Sequence, residues 1–152
     1  NLILKETDGE RFSYGRGLYL RKDKIRTYAQ KMQQENDIRC LNMNQAVRSL
    51  SGGNQQKVIL ARELQSTPDL LIAMHPTRGL DIGASEFVHE QMLREKKRGC
   101  GILLISANLD EIIKLADVIV VMFEGKIMGT FPGINPPIDK ISMAMTGRGE
   151  TA

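Results

Sequence analysis

Leu50-Ser51-Gly52-Gly53-Asn54-Gln55-Gln56-Lys57 is the stretch that decides how this chain is read. A hydroxyl residue and two glycines stand just before a helical pattern, about Asn54 to Leu64, that carries Val58, Ala61 and Leu64. The first N–H groups of a helix lack intrahelical acceptors and lie at the positive end of its dipole, so they attract anions. The glycines let an anion approach the backbone without a Cβ in the way, and Ser51 adds a side-chain donor. An ordinary Ser N-cap followed by a glycine turn also satisfies the pattern. The octamer taken whole favours the phosphate contact.

Working outward, Ile25, Tyr28, Ala29 and Met32 recur at helical spacing behind Asp23, which is expected to cap that helix. Pro68 ends the helix that follows the octamer. Leu70 to Met74, Ile102 to Ser106 and Val118 to Phe123 are short apolar runs separated by helical stretches, the pattern of buried parallel strands. Asp81 is expected to open a helix with Ala84, Val88 and Met92 on one face, and Asn108 with Glu111 forms a capping-box pair ahead of Leu109, Ile112, Ile113 and Ala116. Glu124-Gly125-Lys126 turns the chain into a last strand, Ile127 to Phe131, and a proline-marked loop (Pro132, Pro136, Pro137) leads to a short helix around Ile141 to Met145. The expected fold class is α/β.

Composition narrows the function. The 152 residues suffice for a buried core, and no apolar run approaches the roughly 18 residues of a membrane span, so a soluble domain or part of one is expected. Cys40 and Cys100 have no metal-ligand spacing and read as reduced thiols of a cytoplasmic protein; His75 and His89 are too isolated for a zinc site. Net charge is +3, with Lys96-Lys97-Arg98 where a helix ends and cations suit its dipole. With 5% aromatic residues and no basic stripe carrying stacking rings, nucleic-acid binding is not expected.

The octamer resembles the signature motif of ATP-binding-cassette ATPases, in the Asn-Gln-Gln-Lys form associated with sugar and nucleoside importers. Two further blocks agree in order and distance. Pro68-Asp69-Leu70-Leu71-Ile72-Ala73 with Pro76-Thr77-Arg78-Gly79-Leu80-Asp81 resembles the second Walker strand and D-loop, and Leu103 to Glu111 falls where the switch-histidine loop belongs. The family's phosphate-cradling loop, Gly-x-x-x-x-Gly-Lys-Ser/Thr, does not occur; the Gly125-Lys126 pair reads as a hairpin turn. The chain also begins at Asn1. The resemblance is therefore to the C-terminal part of a nucleotide-binding domain, the second and degenerate cassette of a tandem subunit.

That resemblance implies a partial P-loop NTPase-like core with mostly parallel strands, plus part of the helical signature subdomain. Residues 1–66 would be the helical part, 67–131 the end of the α/β core, and 132–152 a tail with a short helix. Cassettes of this family face head to tail, so Ser51, Gly52, Gly53 and Gln55 would receive the γ-phosphate of ATP held by a partner cassette, and Asp81 would cross that interface. A simple N-cap is the alternative for Asp81. Where the family places an aspartate for Mg²⁺ and a glutamate for the attacking water, this chain has Met74 and His75; the switch histidine corresponds to Ala107. A thioether is a poor ligand for hard Mg²⁺. A missing general base costs about 10²–10⁴ in rate, so the pocket on this side is expected to be inert.

The implied function is part of the ATP-binding subunit of a sugar- or nucleoside-type importer, peripheral at the cytoplasmic face of the membrane. ATP and Mg²⁺ would act in the assembled transporter, with none tightly bound here. The implied partners are another cassette and transmembrane permease subunits. A non-transport cassette protein acting on ribosomes or nucleic acid and a non-catalytic regulatory domain are the alternatives. Self-association through an uncovered sheet edge or apolar face is also expected.

Overall fold

A computed structural model describes residues 1–7, 10–14 and 18–148. In chain order these form β1 (Ser13–Tyr14), β2 (Tyr19–Leu20), α1 (Lys22–Glu35), a 3-10 turn (Val47–Ser49), α2 (Gly52–Leu64), β3 (Leu70–Met74), α3 (Ile82–Arg98), β4 (Gly101–Ile105), α4 (Leu109–Leu115), β5 (Val118–Phe123), β6 (Lys126–Pro132) and α5 (Ile138–Met145). The architecture is α/β, as the apolar runs and helical stretches led us to expect. Two compact units share it: Asn1–Leu71 with Pro76–Ile102, and Ile72–His75 with Leu103–Ala152.

In the first unit α1 begins one residue before Asp23, and its N-cap is Arg21 without a side-chain cap bond. Asp23 instead sits in the first turn, where a carboxylate suits the positive end of the helix dipole. Phe12 and Tyr28 pack as a tilted ring pair with centroids 4.9 Å apart. The Tyr28 hydroxyl bonds Gln65, and burial with Glu6 nearby pushes its pKa up to about 12. Ile38, Val58 and Ala61 form a small buried cluster joined by Leu2, Val47 and Leu50. The short β1–β2 hairpin is absent from the sequence expectations, because two-residue strands carry no readable alternation.

β3, α3 and β4 form a crossover unit. Gly101 N–H donates to Asp69 O at 2.8 Å and His75 N–H to Ile105 O at 2.8 Å, so the early residues of one strand meet the early residues of the other and the late meet the late: the pair is parallel. α3 ends on Gly99 at φ +100°, the left-handed geometry a glycine takes without Cβ strain. Arg98 Nη2 donates to Pro68 O at 2.6 Å, tying the end of α3 to the start of β3.

In the second unit β5 pairs with β6 antiparallel, in register from Val118↔Pro132 to Phe123↔Lys126 with a bulge at Val121/Met122. The sequence led us to expect a parallel β5. Among the described residues its partner is β6, because Glu124 and Gly125 both adopt positive φ (+47° and +78°), the turn geometry that reverses a strand in two residues. Ile119, Val121, Met128, Ile141 and Ala144 are buried together, with Leu109, Ile112, Ile113 and Phe131 packed around them. Burying each large aliphatic side chain contributes about 1.5–3 kcal/mol. One set of alternating strand residues stays exposed: Ile72 at 62%, Met74 at 70%, Leu103, Ile105, Val118, Val120 and Met122. No helix among the described residues is long and apolar enough to cross a membrane.

Candidate functional site

Ser51 is the N-cap of α2, at φ −60° and ψ 156°. Its Oγ accepts from Asn54 N at 3.4 Å and from Asn54 Nδ2 at 2.8 Å, while its carbonyl accepts the first intrahelical bond from Gln55 N at 2.9 Å. The helix therefore starts two residues earlier than its apolar pattern suggested, with Gly52 and Gly53 as its first two positions. Their N–H groups lie in the turn that has no preceding carbonyls to bond. Gly52 and Ser51 are exposed. Ser51 and Gly52 thus bring a hydroxyl and the N–H groups of a helix start to an accessible surface.

The two glycines are not equivalent. A Cβ on Gly52 would meet Leu80 Cδ2 at 3.9 Å, an ordinary contact, whereas a Cβ on Gly53 would lie 2.8 Å from Ala84 Cβ. Gly53 is where α2 crosses the first turn of α3 closely enough to exclude a methyl group. This packing role was not visible in the sequence; it needs the distance between two helices. Gln55 Nε2 donates to Leu50 O at 2.8 Å and so fixes the peptide ahead of the cap.

Asp81 caps α3: its Oδ1 accepts from Ala84 N at 2.8 Å, and its carbonyl accepts from Ser85 Oγ at 2.9 Å. The N-cap alternative is thus realised, and its backbone is extended and exposed. Because Gly53 touches Ala84 and Gly52 faces Leu80, the start of α2 and the segment carrying Asp81 lie side by side.

Lys57, one turn further along α2, reaches back to the loop after α1. Its Nζ donates to Asp37 Oδ2 at 2.7 Å and to Asp37 O at 2.9 Å, and it lies 4.8 Å from the Phe87 ring centroid. The hydrogen bond and charge of Lys57 hold the Asp37 carboxyl below the usual carboxylate range. Asp37 itself adopts φ +45°. Nearby, Arg39 N donates to Asn54 Oδ1 at 2.7 Å. Neither Asn54 nor Lys57 was singled out from the sequence, although both belong to the octamer.

In the second unit, Met74 ends β3 and His75 follows it, and both residues are exposed. His75 adopts φ +48°, a left-handed geometry that histidine, like asparagine and aspartate, takes more often than other non-glycine residues. Ala107 follows β4 and is likewise exposed; next to it Asn108 caps α4 by accepting from Asp110 N at 3.1 Å and Glu111 N at 3.4 Å. The backbone N–H of Asn108 donates to Ser106 Oγ at 3.0 Å. The Asn108 side-chain half of the expected capping box is present, while the Asn108 N–H is engaged by Ser106. No cluster of three or more histidine, cysteine or carboxylate residues suited to a metal occurs among the described residues. The donor set at residues 74 and 75, a thioether and an imidazole, does not suit the hard, oxygen-seeking Mg²⁺.

The chain is 38% identical over 152 residues to the glucose import ATP-binding protein of Haloferax volcanii, a match covering 99% of this chain and 27% of that protein. It is 40% identical over 129 residues to the nucleoside import ATP-binding protein of Lactococcus lactis, covering 85% and 26%. With the guanosine import ATP-binding protein of Bacillus subtilis it shares 45% identity over 117 residues, 77% of this chain and 22% of that one. The chain thus spans about a quarter of the length of the curated relatives it matches. No family model matches it. Among solved structures, an ATP-binding cassette of an ABC transporter superposes with a TM-score of 0.66 at 23% identity, over 83% of this chain and 49% of that one. A dimeric post-hydrolysis cassette bound to ADP and Pi gives 0.62 at 21% identity, over 77% and 50%. The chain is thus similar in sequence to sugar- and nucleoside-import ATP-binding proteins over part of their length, and it shares the fold of the ATP-binding cassettes of ABC transporters.

Proposed function

We propose that this chain is part of the ATP-binding subunit of a sugar- or nucleoside-type importer, in which it supplies the signature motif to ATP held by a partner cassette while its own hydrolytic positions are retired. One contrast supports this reading. The Ser51-Gly52-Gly53 turn is an accessible helix start, whereas β3 ends on Met74 and is followed by His75, neither of them a carboxylate. An anion placed against Ser51 Oγ and the first N–H groups of α2 is stabilised by charge-assisted hydrogen bonds and the helix dipole. Neither Met74 nor His75 supplies a carboxylate to order a divalent cation and a water at the end of β3.

In this reading residues 1–66 are the helical part bearing the signature, 67–131 the end of the ATPase core and 132–152 the tail, of which 149–152 lie outside the described residues. Gln55 holds the turn beside the phosphate, and Asp81 faces the partner cassette. Mg²⁺ and ATP act at the composite site. The subunit sits at the cytoplasmic face of a membrane, against transmembrane permease subunits. The relatives named as glucose, nucleoside and guanosine import proteins favour this over a non-transport role.

Titration of the isolated chain with Mg-ATP tests the reading. Weak binding and no turnover are expected. Tight stoichiometric binding accompanied by phosphate release would show that the chain holds a complete site of its own.

A further inference from the structure

We propose that Asn54 is the positioning residue of the signature turn: it fixes the direction in which the Ser51 hydroxyl donates its single proton. This rests on the reading that Ser51 contacts phosphate. The orientation of the Asn54 amide follows from chemistry. Arg39 N is a backbone N–H and can only donate, so the Asn54 atom 2.7 Å from it is the carbonyl oxygen, and Nδ2 is the atom that faces Ser51.

Ser51 Oγ then accepts twice from the same residue, from Nδ2 at 2.8 Å and from the backbone N–H at 3.4 Å. A hydroxyl has two lone pairs and one hydrogen. With both acceptor directions occupied from the helix side, the hydrogen points away from α2 toward the exposed surface. The hydroxyl is thereby set as a donor, the polarity an anionic phosphate oxygen requires. The usual reciprocal capping box would spend the third helical side chain on the N-cap amide. Here that oxygen is engaged by Arg39, and the segment carrying Arg39 is itself held by the paired bonds from Lys57 to Asp37.

Asn54→Asp separates positioning from folding. Aspartate keeps an acceptor for Arg39 N, and a carboxylate in the first turn suits the helix dipole, so thermal stability should be unchanged or slightly raised. It cannot donate to Ser51, and its second oxygen draws the Ser51 proton inward. In the full-length transporter with Mg-ATP, kcat should fall by about 10²–10³, the range for losing one preorganised donor, with KM little changed. Because the new charge could repel phosphate by itself, the decisive comparison is Ser51→Ala, Asn54→Asp and the double variant.

The proposal expects the double variant to be no worse than Ser51→Ala alone. The neutral Asn54→Leu should lose part of the activity, and that loss should also vanish in the Ser51→Ala background. If Ser51→Ala alone leaves activity intact, the phosphate reading of the turn is wrong. If Ser51→Ala impairs activity but the Asn54 losses multiply with it, or do not occur, the positioning role is refuted while the phosphate reading stands.

Discussion

Replacing Gly53 by alanine sets two effects of opposite sign against each other. In the interior of an isolated helix, glycine to alanine gains about 1 kcal/mol, because alanine loses less backbone entropy. In this fold the added Cβ would lie 2.8 Å from the Ala84 Cβ. Non-bonded carbons prefer about 3.5–4.0 Å, so α2 and α3 must separate by about 1 Å. Both atoms are attached directly to backbone, so no side-chain rotation relieves the clash. Ala84 is buried beneath the contact, and overpacking of this kind costs about 1–3 kcal/mol. The net expectation is destabilisation by about 0–2 kcal/mol rather than a gain, and Ala84→Gly in the same chain should restore most of it. Urea denaturation of the four chains of the cycle measures this, with a coupling of about 1–3 kcal/mol expected. A Gly53→Ala chain more stable than the parent by about 1 kcal/mol would show that helix propensity alone governs the site and that the close crossing is wrong.

Two further outcomes follow from the same structure. Burial raises the Tyr28 pKa to about 12, so the folded state holds its phenolic proton more tightly than the unfolded chain does. That contribution is fully present below the ordinary tyrosine value near 10 and is lost as pH rises through about 12; denaturation midpoints should fall over this window, less steeply in Tyr28→Phe, and an equal fall in both would refute the assignment. The exposed alternate residues Ile72, Met74, Leu103, Val118 and Val120 should drive self-association of the isolated chain, and Ile72→Thr with Val120→Thr should shift sedimentation toward monomer; a monomeric parent at high concentration would contradict this.

The sequence was most informative where side-chain chemistry acts locally. Asp81 and Asn108 cap α3 and α4 as their positions suggested, and Pro68 separates α2 from β3, because caps and breakers act over three or four residues. The start of α2 was misplaced by two residues because glycine counts against a helix; the contact with Ala84 that makes glycine necessary at residue 53 is tertiary. Asp23 looked like a cap but lies inside α1, since the turn is already set by the chain leaving β2 at Arg21, whose N–H donates to Phe12 O at 2.8 Å. The apolar runs of β3 to β5 suggested burial on both faces, yet one set of side chains is exposed in the chain as described. At the site, Ser51, Gly52, Gly53 and Asp81 were legible as a pattern. The bonds from Asn54 to Ser51 and Arg39, and from Lys57 to Asp37, were not, because only the fold brings residues 37–39 onto α2.

The division into a working signature and a retired pocket is tested most directly by ATP-driven uptake and ATPase activity of the full-length protein, comparing Gly52→Asp with His75→Ala. Gly52 is exposed, and its Cβ meets only Leu80 Cδ2 at 3.9 Å, so an aspartate fits without a clash and acts chiefly by placing a negative charge where phosphate would approach. Losing a charge-stabilising contact typically costs about 10²–10³ in rate, and Gly52→Asp should lose at least that. His75 is exposed, and its replacement should leave both activities within about twofold, consistent with the small effects of surface substitutions. A folded His75→Ala protein without activity, beside a fully active Gly52→Asp protein, would contradict the account.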